Sequence, residues 1–193
     1  MTRRERISAE IAERTGITEA MIERQVRAFY AKVRADKVLA PVFDARIHDW
    51  EPHLSQMCAF WSSVALMTGR YHGTPMAKHT PLPVDADHFD RWLELFEQTA
   101  REICPPEAEA HFVACARRIA ASLELGVANA NGIMLGVGER FRRQREGAMP
   151  IYRSDPVSEH ASADPYSGSS LVPMLVAGLA LTLVGMIAAI LLT

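Results

Sequence analysis

Hydrophobic residues recur at every third or fourth position along much of this chain, which is the pattern of amphipathic helices that share a core. The first clear stripe consists of Ile22, Val26, Phe29 with Tyr30, and Val33. Thr18 precedes this stripe at a position where a hydroxyl side chain favours the start of a helix, and the pattern ends near Asp36. The sequence therefore predicts a helix over residues 18–36.

Further helices follow, and a short apolar segment at residues 39–43 separates them from the first. Asp49 can cap a helix that carries Pro52 in its first turn. The last two helices are predicted over residues 87–103 and from residue 105 onward. Their inward stripes are His53, Met57, Phe60, Trp61 and Val64, then Phe89, Trp92, Leu93 and Phe96, then Phe112, Cys115, Ala116, Ile119 and Leu123. No segment alternates with a period of two, so the predicted fold class is all-α.

Two polar side chains stand within these inward stripes. His53 is in register with Met57, and Tyr30 shares a stripe with Phe29. A buried polar group without a hydrogen-bond partner costs about 1–3 kcal/mol, so each of these side chains needs a partner. Backbone carbonyls or water could satisfy both. The alternative is that they converge with Trp92 on a bound ligand, and composition does not choose between the two.

A third polar candidate, His79, lies in a break between helices. Pro81 and Pro83 disfavour helical geometry for the residues before them, Thr80 and Leu82. His79 is therefore predicted at the end of a short element, with its ring directed across a pocket. A single histidine among apolar residues can supply an axial nitrogen to a haem iron. Most lone histidines are surface residues or satisfied core residues, so this position alone does not decide the matter.

Composition excludes several functional classes. The chain of 193 residues carries 21 lysines and arginines against 23 acidic residues, so no nucleic-acid-binding footprint is expected. Its three cysteines lack the spacing of a zinc site and are odd in number, which fits a reducing compartment. The charged N-terminus is not that of a secretory signal peptide.

The end of the sequence has a different character. Residues 171–193 contain no charged side chain and, as a helix, would be about 34 Å long, which is enough to cross a membrane. This segment is predicted to be a single-pass C-terminal anchor that leaves the preceding domain in the cytoplasm. One helical face has the small residues Gly178, Thr182, Gly185 and Ala189, which would let two such helices pair as a homo-oligomer.

Residues 17–126 resemble the group III truncated haemoglobins, which are small globins with a two-on-two helical sandwich. The resemblance rests on residues in matching order along several helices. These are Phe29, Tyr30, Val33, Arg34, Asp36, Leu39, Pro41, Val42, Phe43, Trp50, His53, Phe60, Trp61, Gly69, Tyr71, Gly73, Pro75, Lys78, His79, Leu82, Pro83, His88, Phe89, Trp92, Leu93, Leu95, Phe96, Arg118, Ile119 and Ala120. The family usually ends soon after its last helix, so the later residues are additions.

The resemblance implies a haem b site. It implies that His79 is the proximal iron ligand and that Tyr30, His53 and Trp92 line the distal, ligand-binding side. The implied pocket walls are Phe29, Phe43, Met57, Phe60, Trp61, Met76 and Leu82. His72 and His88 are expected to be exposed to solvent.

Four segments result from these observations. They are an N-terminal segment at residues 1–17, a truncated globin haem domain at 18–131, a basic extension and flexible linker at 132–170, and the transmembrane anchor at 171–193.

The function that the resemblance implies is reversible binding of oxygen, nitric oxide or other diatomic ligands at the cytoplasmic face of a membrane. The alternative is a haem enzyme that acts as a nitric oxide dioxygenase or reduces peroxide. No flavin or nicotinamide site is recognisable in the sequence, so such turnover would need an external reductase. A third alternative is a tethered helical adaptor whose pocket no longer binds haem.

Overall fold

The structure, a computed structural model, describes residues 1–143 and contains seven helices and no strand within that range. The helices are α1 (Arg3–Thr15), α2 (Glu19–Ala35), α3 (Ala40–Asp44), α4 (Trp50–Ala65), α5 (Pro75–His79), α6 (Ala86–Ile103) and α7 (Pro106–Ala130). The all-α prediction is confirmed for these residues.

The rest of the chain, residues 144–193, holds most of the predicted linker and the whole predicted anchor, and both lie outside the described residues. Among residues 1–143, no helix has the length and apolar character needed to cross a membrane.

The four long helices α2, α4, α6 and α7 form two packed pairs. Helix α2 packs along α4, and α6 packs along α7. The pairs also contact each other, since α2 packs on α6 and α4 packs on α7. The short helix α3 lies on α2, while α1 and α5 both lie on α7. This arrangement of two helices on two is the one that the resemblance implied.

Capping side chains set the helix starts that the sequence predicted. The Thr18 hydroxyl accepts a hydrogen bond from the backbone N–H of Met21, and the Asp49 carboxylate accepts one from Glu51. Each cap satisfies a backbone donor that the first turn leaves unpaired. Helix α6 begins one residue earlier than the predicted residue 87, because Asp85 and the third residue of the helix, His88, form a capping box.

An aromatic cluster joins the four long helices. Trp61 of α4 stacks on Phe96 of α6 with ring centroids 4.6 Å apart. Phe29 of α2 meets the same Phe96 edge-on at 5.3 Å, and Phe112 of α7 meets Trp61 edge-on at 6.0 Å. These four side chains are at most 2% exposed, so one ring from every long helix lies in the core.

The first helix, α1, adds to this core from outside the predicted globin segment. Thr2 and Glu5 form a capping box at its start, and Ile11 and Ala12 pack against the main hydrophobic cluster. The sequence pattern places residues 1–17 outside the predicted globin domain. The helix is stabilised by its cap and by contact with α7, which a pattern within α1 cannot show.

Candidate functional site

His79 is the last residue of α5, and the first residue of that helix orients its ring. Nδ1 of His79 lies 2.7 Å from the carbonyl oxygen of Pro75. A carbonyl can only accept a hydrogen bond, so Nδ1 must carry the proton and donate. The lone pair is then on Nε2, which makes no hydrogen bond within residues 1–143. This is the tautomer in which a histidine is ready to bind a metal through Nε2.

A cleft separates α5 from α4. Both helices pack on α7, and within the described residues they do not contact each other. The cleft between them has a volume of about 440 Å³ and is mostly apolar. Its walls are Phe60 and Val64 of α4, Pro75 and Met76 of α5, and Cys115, Arg118, Ile119, Ser122 and Leu123 of α7. This volume lies within the range of roughly 300–1,000 Å³ that is typical of small-molecule and cofactor sites.

Close packing between α5 and α7 occurs at one glycine. Met76 lies directly over Gly126, where a Cβ atom would collide with its sulfur. A larger residue at position 126 would therefore require the flexible Met76 side chain to move.

Tyr30 and His53 lie together in an aromatic group between α2 and α4. Their rings meet edge-on with centroids 5.0 Å apart. Phe43 and Trp50 complete the group, with centroids 5.8 Å and 6.0 Å from the Tyr30 ring. Tyr30 is 5% exposed, so its hydroxyl is inside the protein, as its place in the stripe predicted.

The imidazole of His53 has an unsatisfied nitrogen. Its Nε2 is buried and has no hydrogen-bond partner within residues 1–143. Burial lowers the pKa of His53 below its ordinary value, because a charged imidazolium is poorly solvated there. The neutral ring can therefore accept or donate one hydrogen bond to a ligand beside it.

The Tyr30 hydroxyl stays protonated at neutral pH. Burial raises the pKa of Tyr30 above its usual value, and the negative charge that nearby Cys58 carries when its thiol is ionised adds to the shift. No hydrogen bond engages this hydroxyl within the described part of the chain. It is a buried donor available to a ligand.

Trp92 reaches the same region through Phe29. The Phe29 ring meets Tyr30 at 5.0 Å on one side and Trp92 at 5.3 Å on the other. Trp92 also stacks on Phe96 at 5.3 Å, so its indole plane is held by the core. The structure thus brings Tyr30, His53 and Trp92 into one connected aromatic group.

The predicted wall residues occupy different places. Phe60 and Met76 line the cleft between α4 and α5. Phe43 and Met57 pack, partly buried, at the edge of the main hydrophobic cluster. Phe29 and Trp61 are almost fully buried core residues. Leu82 packs in a second cluster that contains Val84 and Phe89, on the side of α6 and α7.

The sequence pattern predicts that the α7 side of the cleft belongs to the core, and it does not identify Arg118 or Ser122 as site residues. Arg118 lines the cleft, and its Nη2 donates to the Cys115 sulfur at 3.3 Å. The signal in the sequence was weak, since Cys115, Ile119 and Leu123 fit an ordinary buried stripe. Only the separation of α4 from α5 exposes this face of α7.

The two other histidines of interest differ from each other. His72 is exposed, as expected. His88 is half-buried, and the expectation that it is exposed is wrong. Its Nδ1 lies 2.7 Å from Asp85 Oδ1 within the α6 capping box, which holds the ring against the helix start.

Comparison with known proteins identifies the family of this chain. The bacterial-like globin family matches residues 11–122, which is more than half of the chain. The chain belongs to the bacterial-like globins. It is similar to Group 3 truncated hemoglobin ctb of Campylobacter jejuni, with 36% identity over 88 residues, or 43% of this chain and 69% of that protein.

Solved structures agree with this assignment to the truncated, group III type of globin. The crystal structure of a group III truncated hemoglobin from Campylobacter jejuni has a TM-score of 0.54 and 30% identity, covering 64% of this globin and 95% of that chain. A hemoglobin from the thermophilic phototrophic bacterium Chloroflexus aurantiacus has a TM-score of 0.50 and 27% identity, covering 58% and 95%.

The lowered pKa of His53 predicts a pH dependence of stability. The unfolded chain binds a proton on this histidine near pH 6.5, whereas the folded protein does so only at lower pH, so stability falls as the pH drops below about 6.5. We expect the midpoint of thermal unfolding to fall less between pH 7.5 and pH 5.5 in His53→Gln than in the unmodified protein. Circular dichroism measures this midpoint.

The control for this prediction is His72→Gln, which makes the same substitution at an exposed position. It should follow the unmodified protein across the pH range. Parallel pH profiles for His53→Gln and the unmodified protein would show that His53 is not the group responsible.

Proposed function

We propose that this globin binds haem b, with His79 as the proximal ligand, and reversibly binds oxygen and other diatomic molecules on the side of Tyr30, His53 and Trp92. The observation that carries the proposal is the hydrogen bond from His79 Nδ1 to the Pro75 carbonyl, which directs the lone pair to Nε2. Haem would supply the iron to which such ligands bind.

The residues present fit a haem. A macrocycle needs an apolar cleft beside one oriented nitrogen. The cleft between α4 and α5 is mostly apolar, and although His79 is not among its lining residues, Pro75 and Met76 of the same helix are. Arg118 in the same wall is a cation that could pair with a propionate group. The unsatisfied buried Nε2 of His53 is a further polar atom whose partner is best supplied by a bound ligand.

The distal side chains would act on the ligand as hydrogen-bond donors. The Tyr30 hydroxyl is buried and protonated, and the Trp92 indole N–H can only donate. The neutral His53 ring has one N–H donor and one acceptor nitrogen, so it can either donate to or accept from the bound ligand. Because the rings pack on one another, these groups would be oriented before a ligand arrives.

Such donors would slow the release of a polar ligand. A hydrogen bond to a partly charged acceptor contributes about 1.5–3 kcal/mol, which corresponds to roughly ten- to a hundredfold in dissociation rate. Two or three donors would therefore hold oxygen tightly. Slow release suits chemistry or sensing at the haem better than bulk oxygen transport.

Replacing His79 tests the proximal assignment. We expect His79→Gly to lose the Soret absorption band, and imidazole added to the buffer to restore it by supplying the missing nitrogen. His88→Gly is the matched control and should keep the band, because the His88 ring pairs with Asp85. Loss of the band in His79→Gly but not in His88→Gly would also reject the alternative of a helical adaptor whose pocket no longer binds haem. A His79→Gly protein with an unchanged Soret band would refute the proposed ligand.

Replacing Tyr30 tests the distal assignment. Removing the hydroxyl in Tyr30→Phe should speed oxygen dissociation about tenfold or more, since one donor to the ligand is lost. Tyr71→Phe deletes the same atom beside Phe60, away from the His53 end of α4, and should leave the rate unchanged. Stopped-flow displacement of oxygen by carbon monoxide measures both rates. Equal rates in Tyr30→Phe and the unmodified protein would remove Tyr30 from the distal site.

Turnover of nitric oxide with oxygen, or of peroxide, stays a prediction of the sequence. The neutral imidazole of His53 could act as an acid–base group in peroxide chemistry. Either reaction would need electrons from a separate reductase.

We also propose that residues 171–193 anchor the haem domain to a membrane, with the domain on the cytoplasmic side. The support is the uncharged length of this segment in the sequence. Anchoring would keep the haem near respiratory enzymes, which consume or release the ligands in question. The small-residue face of the segment would allow self-association.

Removing residues 171–193 tests the anchor. The full chain should sediment with membranes and resist extraction by alkaline carbonate, whereas the shortened chain should remain in the supernatant with its Soret band intact. A matched control is replacement of the segment by a polyleucine helix of the same length, which should restore sedimentation. Recovery of the full chain in the supernatant would contradict the proposed anchor.

A further inference from the structure

The chain continues past the last globin helix and folds back on the domain. Residues 132–143, which we name the C-terminal strap, follow α7 and lie beyond residues 11–122 that match the family. In the sequence they form the start of the predicted basic extension and linker. Their contacts involve the loop at residues 80–85, which comes directly after His79.

One arginine connects the strap to this loop. Nη2 of Arg143 donates to the carbonyl oxygen of Leu82 at 3.1 Å, and its Nε donates to that of Val84 at 3.2 Å. The backbone N–H of Arg143 donates to Asp85 Oδ2 at 3.3 Å. Leu82 in turn donates its N–H to the carbonyl oxygen of His79 at 3.0 Å. A short chain of hydrogen bonds therefore leads from Arg143 to the backbone of His79.

The strap itself is fixed to the domain at Phe141. This side chain is 2% exposed and packs in the second hydrophobic cluster with Val84 and Phe89. Its backbone N–H donates to Glu124 Oε1 at 2.8 Å, and its carbonyl accepts from Ala86 at 2.6 Å. The buried aromatic ring and the two backbone hydrogen bonds give the strap a defined position, from which Arg143 reaches the loop.

Arg140 adds a second attachment. Its Nε lies 2.9 Å from Oε1 of Glu124, a carboxylate that is only 5% exposed, and its Nη2 lies 2.7 Å from Asp90 Oδ1. A buried carboxylate needs such a partner, so Glu124 and Arg140 hold each other in place.

The helix that carries His79 has few attachments of its own. Helix α5 has five residues, none of which is buried, and no side chain caps its start. Among the described elements it packs only on α7. A helix this short is not stable by itself, so its position depends on the segments that join it to the rest of the protein. The loop at residues 80–85 is one of those two segments.

We propose that the C-terminal strap is a positioning element for the proximal histidine, in which Arg143 holds the 80–85 loop and thereby sets the orientation of His79 toward the iron. This inference rests on the proposed function.

Arg143→Ala in the full chain tests the inference, with Arg142→Ala as the matched control. Arg142 pairs with the exposed Asp87 of α6 and makes no hydrogen bond to the 80–85 loop within residues 1–143, so Arg142→Ala removes the same charge without removing bonds to the loop. The iron–histidine stretching band of the ferrous protein, measured by resonance Raman spectroscopy, reports the proximal bond directly. Transfer of haem to excess apomyoglobin reports how firmly the haem is held.

We expect a shifted or broadened iron–histidine band in Arg143→Ala and haem loss that is about fivefold faster, as expected for the loss of hydrogen bonds to the loop. Arg142→Ala should match the unmodified protein. Arg143→Lys keeps the charge and one donor group and should give an intermediate result, and it serves as the test if Arg143→Ala does not fold.

Two negative results are distinguishable. In the first, the unmodified protein binds haem through His79, and both Arg143 variants show the same iron–histidine band and the same rate of haem loss as the unmodified protein. The strap then has no positioning role, and the proposed function stands. If the unmodified protein shows no iron–histidine band at all, the proposed function fails and this inference fails with it.

Discussion

The packing of aromatic rings between the four long helices is the constraint on which the rest of this globin depends. Phe29, Trp61, Phe96 and Phe112 come from four different helices and meet in one buried cluster. Each ring is removed from water only when the rings of the other three helices pack against it. The apolar faces of the four helices are therefore buried together. Trp92 extends the stack and carries it to the edge of the candidate site.

The candidate site arises where that packing stops. Helices α4 and α5 both rest on α7 and leave a cleft between them, while the aromatic group around Tyr30 closes the neighbouring end of α4. The two candidate histidines differ in how their ring nitrogens are engaged. His79 has one nitrogen engaged by a carbonyl, which defines its tautomer, whereas His53 keeps a buried nitrogen unsatisfied. The proposed haem site would engage both of these free Nε2 atoms.

Much of the fold could be predicted because the helices have local signals. Periodic stripes identified α2, α4, α6 and α7, and Thr18 and Asp49 marked two of their starts. The polar members of the site were identified in the same way, as polar residues in apolar stripes. The α7 side of the cleft was missed because its residues also fit a core stripe. The strap was missed because one buried phenylalanine among arginines has no period to detect.

The sequence by itself determined the helical class, the helix order, the inward positions of Tyr30 and His53, and the isolation of His79 by prolines, because these depend on residues close together along the chain. Tertiary structure decided which elements meet. Only packing could separate α4 from α5, bring Phe29 between Tyr30 and Trp92, and place Arg143 against the loop after His79. Such contacts join residues far apart in sequence, and their formation depends on the burial of the whole core at once.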